Sequence, residues 1–101
     1  MRIIKRKALI EYWSKPSYRD ARTALEAWHT AVQSHTCDWA TPDELKADYR
    51  NASITPGNRV VFNIAGNKYR LIVKINYPYR AIYIRWFGTH AEYDDIDART
   101  V

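Results

Sequence analysis

Between Asn58 and Tyr93 the sequence changes period, and that change decides what the chain can fold into. Upstream, apolar residues recur every three or four positions; within the stretch they recur every second position. Val60, Phe62 and Ile64 alternate with Arg59, Val61 and Asn63. Tyr69, Leu71, Val73, Ile75 and Tyr77 alternate with Lys68, Arg70, Ile72, Lys74 and Asn76, and Ile82, Ile84 and Trp86 with Tyr83, Arg85 and Phe87. Side chains on a strand point alternately to opposite faces, so the pattern predicts three half-buried strands. Ala65-Gly66-Asn67 makes the first two an antiparallel hairpin, and Pro78-Tyr79-Arg80 turns the chain into the third. The expected core face carries Val60, Phe62, Ile64, Leu71, Val73, Ile75, Ile82, Ile84 and Trp86. The expected open face carries Arg59, Asn63, Lys68, Arg70, Lys74, Asn76, Tyr83 and Arg85.

The preceding residues supply helices to cover the core face. Met1 to Ile4 reads as a short edge strand, and a first helix starts at Lys5 and stops at Pro16. Ser17 and Asp20 predict the N-cap and first turn of a second helix that runs to about His35, with Ala21, Leu25, Trp28 and Val32 on one stripe. Thr41-Pro42-Asp43-Glu44 predicts a third, with Thr41 as cap, Pro42 at the first position and Glu44 completing a capping box. Asn51 to Gly57 reads as a loop. Helices first and a meander later place the chain in the α+β class, as one domain over residues 1–101.

Composition narrows the function classes. An apolar fraction of 47% argues against disorder. No apolar run approaches the roughly 18–20 residues of a membrane helix, and the N-terminal residues lack a signal-peptide pattern, so a cytoplasmic protein is expected. The single cysteine, Cys37, excludes an internal disulfide and reads as a small buried thiol. The net charge of +5 is unevenly spread. Arg2, Lys5, Arg6 and Lys7 open the chain, and Arg59, Lys68, Arg70, Lys74, Arg80 and Arg85 occupy the strand region with no acid among them.

Cations on one sheet face, with Tyr83 and Tyr93 nearby, suit a polyanion: Lys and Arg meet phosphates, and tyrosines stack on bases. An ordinary solvated face explains the same residues equally well. His90, directly after the last strand, suits proton transfer at neutral pH, although a lone histidine there is more often structural. With an RNA phosphate on the basic face, a base would take the 2′-hydroxyl proton, that oxygen would attack its own phosphodiester, and cations would stabilise the charge developing on phosphorus. No cofactor or metal is expected. The P-loop, dinucleotide and HExxH patterns are absent, and Asp94, Asp95 and Asp97 lack EF-hand spacing. His29 and His35 are expected to be exposed, with no role.

Three segments carry a resemblance: Arg59-Val60-Val61-Phe62-Asn63-Ile64, Gly66-Asn67-Lys68-Tyr69-Arg70-Leu71 and Gly88-Thr89-His90-Ala91-Glu92-Tyr93-Asp94. Together with Arg2-Ile3-Ile4 and the Trp39 to Tyr49 segment they resemble the HigB family of type II toxin–antitoxin toxins, within the RelE-like group. The resemblance implies helices packed on one face of a mainly antiparallel sheet. It also implies an mRNA interferase that cuts mRNA on the translating 70S ribosome and is silenced by a helix-turn-helix antitoxin, which alone contacts operator DNA. On this resemblance Lys68, Arg70, His90 and Tyr93 are the expected catalytic residues, with Arg59, Lys74, Tyr83 and Arg85 as RNA contacts. RelE-like toxins differ in their catalytic residues, so the general base and acid stay open between His90 and Tyr93. The alternative is a non-catalytic RNA- or protein-binding module using the same face.

Overall fold

The computed structural model describes residues 1–101. Its elements are β1 (Arg2–Ile4), α1 (Arg6–Ser14), a 3-10 helix (Pro16–Ala21), α2 (Arg22–Gln33), α3 (Pro42–Asp48), β2 (Ser53–Thr55), β3 (Arg59–Ile64), β4 (Tyr69–Asn76), β5 (Ala81–Thr89) and α4 (His90–Tyr93). The strands form one sheet in the order β1-β5-β4-β3-β2. Only the β1–β5 pairing is parallel. The architecture is the expected α+β arrangement, with β1 as an edge strand.

The helical stripes do what their spacing dictates. Leu9 of α1 and Leu25, Trp28 and Val32 of α2 are buried against Val60, Phe62, Leu71, Val73 and Ile75 in one apolar cluster. Thr41 caps α3, its Oγ1 accepting from the Glu44 N–H at 3.3 Å. Glu44 accepts from the Ala40 N–H at 2.8 Å rather than from that of Thr41, so the box closes one residue earlier than expected.

Other expectations change. Pro16–Ala21 is a 3-10 turn, and α2 begins at Arg22 without a side-chain cap; Ser17 is not the N-cap, and Asp20 is used elsewhere. The loop from Asn51 to Gly57 contains β2, paired antiparallel with β3 through Ile54 and Val60. The hairpin turn puts both Ala65 (φ 56°) and Gly66 (φ 68°) in the left-handed region.

A further change moves two aromatic residues across the sheet. Val73 pairs with Ile84, but Ile72 pairs with Trp86, so Arg85 is an extra residue in β5. A bulge of this kind shifts the alternation by one. Beyond it Phe87 enters the helix-side core and Trp86 turns to the opposite face, the reverse of the period-two assignment. There Trp86 joins Val61 and Ile72 under Ile96, Ala98 and Val101. The segment after α4 therefore lies across the face expected to be open, and Val61 and Ile72 are almost fully buried.

Candidate functional site

Phe87, once on the core side, becomes the hub of an aromatic cluster beneath the end of the sheet. Its ring stacks on Tyr69 at 5.1 Å and on Tyr12 at 5.3 Å, and meets Tyr18 edge-on at 5.3 Å. Such packing fixes two buried phenols and aims their hydroxyls at carboxylates nearer the surface. The Tyr18 hydroxyl donates to Glu92 Oε1 at 2.6 Å. The Tyr69 hydroxyl donates to Asp20, whose other oxygen pairs with the Lys68 ammonium.

Each tyrosine thus holds a carboxylate at the point where β5 passes into α4. Glu92 also accepts from the Thr89 N–H at 2.8 Å, while Thr89 Oγ1 accepts from the Glu92 N–H at 3.1 Å. This is a full capping box on the short helix that His90 opens. The Thr89 N–H and then the Tyr18 hydroxyl hold the Glu92 carboxyl below its ordinary range. Burial and the Glu92 carboxylate push Tyr18 up to about 12. Lys68, followed by Tyr69, keeps Asp20 low, and Asp20 in turn raises Lys68.

Backbone register brings three of the four catalytic candidates, Lys68, Arg70 and His90, to this point. The His90 N–H donates to the Lys68 carbonyl at 3.0 Å. Arg70 lies opposite Gly88, and Tyr69 opposite Thr89. His90 is exposed, its Nδ1 3.5 Å from an Asp94 oxygen. Tyr93 is half-buried with its ring 6.4 Å from that of Trp86. Arg70 turns back to the carbonyls of Asn67 and Tyr69, at 3.0 and 3.2 Å. Lys68 departs from its expected face: it precedes β4, so strand alternation does not govern it, and its side chain meets Asp20 of the 3-10 helix.

The expected RNA contacts divide. Lys74, Asn76, Tyr83 and Arg85 line a surface depression of about 290 Å³. Lys74 and Tyr83 are cross-strand partners, and Tyr83 is 37% exposed. Arg59 does not join them. It is 9% exposed, and its guanidinium donates to the backbone oxygens of Gly57 and Val101. The covering segment removes it from solvent, which alternation within β3 could not reveal. Arg85 also reaches the Val101 oxygen, at 3.3 Å, but stays exposed.

Tyr18, Asp20, Tyr69 and Glu92 are not among the site residues expected from the sequence. A signal exists for Glu92: a Thr three residues before it, directly after a strand, is a capping-box pattern. Tyr18 meets Glu92, 74 residues away, and Asp20 meets Tyr69, 49 residues away, only in the folded chain.

No helix is long and apolar enough to cross a membrane. No curated protein gives a significant match to the chain. The family profile of the HigB toxin, described as the RelE-like toxic component of a toxin-antitoxin system, matches residues 21–96. That span includes α2, α3, four of the five sheet strands and the whole of α4. The chain belongs to the HigB toxin family, and its role is that of the toxin in a toxin–antitoxin pair.

Proposed function

We propose that this toxin is an endoribonuclease of the cytoplasm that cuts mRNA on the translating ribosome, without a metal ion. The observation that carries the reading is the gathering of Lys68, Arg70 and His90 at one end of the sheet, where the His90 amide bonds the Lys68 carbonyl. A basic depression on the adjoining strands offers a path for the rest of the strand.

In this reading a general base, His90 or Tyr93, removes the 2′-hydroxyl proton. The 2′-oxygen then attacks the adjacent phosphorus and the bond to the 5′-oxygen breaks. A general acid protonates that oxygen, leaving a 2′,3′-cyclic phosphate and a 5′-hydroxyl. Lys68 and Arg70 stabilise the charge on the non-bridging oxygens. Asp94, beside Nδ1, favours a proton there and leaves Nε2 free to accept. Asp20 serves as the counter-ion of Lys68 until a phosphate replaces it.

Expression without antitoxin should arrest growth and fragment translated mRNA. His90→Ala and Lys68→Ala should each slow cleavage by about 10²-fold or more. Cleavage in EDTA should match the untreated rate. Intact mRNA on active ribosomes sinks the enzymatic reading in favour of a binding module. A double variant that cleaves at the wild-type rate moves the site elsewhere.

A further inference from the structure

In the helical layer, α1 and α2 enclose a groove of about 450 Å³ that the chemistry above does not use. Leu9, Ile10 and Trp13 give it an apolar side, and Ile10 is 41% exposed, one of the few large apolar side chains left in water. The polar side is only partly satisfied. Arg22 bonds Glu26 at 2.6 Å and lies over the Trp13 ring at 5.9 Å. Arg6 forms neither a salt bridge nor a side-chain hydrogen bond, and the buried Nε2 of His29 has no hydrogen-bond partner.

Arg6 is also misplaced for the helix it opens. A cation in the first turn opposes the helix dipole, and α1 has no acid there to offset it. Burial and then the Arg6 charge keep His29 toward its neutral form. The fold gains nothing visible from Arg6, which suggests that its counter-charge comes from outside the chain.

We propose that this groove is where the antitoxin docks, through a segment that lays an apolar side chain on Ile10 and Trp13 and sets a carboxylate against Arg6. Charge complementarity selects this occupant. A second copy of the chain in a two-fold pairing would bring its own Arg6 to the same surface. A nucleic acid would meet an apolar floor and the Glu26 carboxylate. An acidic, apolar-tipped peptide segment satisfies both sides. The proposal rests on membership of the toxin family and not on the RNA-cleavage reading.

The test is binding of the purified antitoxin from the same operon, measured by calorimetry, to wild-type toxin and to Ile10→Asp and Arg6→Glu. Neither residue belongs to the cleavage site. Ile10→Asp should weaken binding at least roughly thirtyfold, as loss of a central apolar anchor does. Arg6→Glu should weaken it at least about tenfold, as charge reversal against a carboxylate does, and flatten its salt dependence. Thermal melting reports whether each variant is folded; Arg6→Glu suits the helix dipole and keeps the test valid if Ile10→Asp unfolds. Affinity within about threefold of wild type for folded variants overturns the proposal. So does a loss of ribosome co-sedimentation with antitoxin binding intact, which would make the groove an RNA surface. Because no step reads cleavage, either reading can fail while the other stands.

Discussion

Ala65 is the residue most clearly held against its own preference. At φ 56° it occupies the left-handed region, followed by Gly66 at φ 68°. A Cβ there costs about 1–2 kcal/mol, partly offset by the extra freedom that a glycine loses on folding. Ala65→Gly should therefore stabilise the protein by about 0.5–1 kcal/mol and raise Tm by a few degrees. An unchanged or lowered Tm would mean that the turn relaxes to another geometry in solution. Glu92 makes a second prediction at this scale. Its folded pKa is depressed, so the stability it contributes is present above the ordinary glutamate value of 4.5 and is lost as pH falls through the lower folded value. Glu92→Gln should be less stable than wild type at pH 7, and the gap should close as pH drops below about 4.5. Urea titrations at several pH values read this directly; a gap independent of pH would remove the ionised carboxylate from the account.

At the scale of the element, the decisive irregularity is the extra residue at Arg85. It places Phe87 beneath Tyr18 and Tyr69, and Trp86 across Gly88 on the other side. A Cβ at Gly88 would lie 2.5 Å from the Trp86 ring and 3.1 Å from Glu92 Oε1. Gly88→Ala should therefore displace Trp86, strain the Thr89–Glu92 capping box and cost about 1–3 kcal/mol. Cleavage should fall with it, since His90 opens the helix which that box holds. Trp86→Ala frees the space but also deletes contacts with Val61 and Ile72, so the double variant should cost less than the two single variants summed. If the two costs simply add, the clash is not the cause. The same bulge explains why the sequence was readable only up to a point. Strict alternation located β3, β4 and the first half of β5, because each residue step there exchanges faces. One extra residue reverses every later assignment, and neither Arg85 nor its neighbours announces it. His90 was visible because its place follows from the strand end. Its support was not, because Tyr18 and Asp20 come from the 3-10 helix and Glu92 from α4, far apart in the chain.

At the scale of the whole molecule, the segment after α4 divides the basic residues by function. It buries Val61 and Ile72 with Ile96, Ala98 and Val101, and its Val101 oxygen accepts from both Arg59 and Arg85. Arg59 is enclosed by this contact, whereas Lys74 and Arg85 remain exposed around the depression. The two groups should separate in experiment. Arg59→Ala removes hydrogen bonds from a buried guanidinium and should cost about 1.5–3 kcal/mol, read as a lower Tm. At a temperature where the variant is fully folded, it should bind single-stranded RNA with the wild-type salt dependence. Lys74→Ala and Arg85→Ala should do the reverse, leaving Tm nearly unchanged. Each should lower the slope of log affinity against log salt by roughly 0.7, the share of one phosphate contact on a single strand. The measurement needs a 2′-O-methyl RNA, which has no free 2′-hydroxyl and cannot be cut by the proposed route. A reduced slope for folded Arg59→Ala would mean that the covering segment lifts when RNA binds. Unchanged slopes for both Lys74→Ala and Arg85→Ala would mean that the strand does not cross the depression.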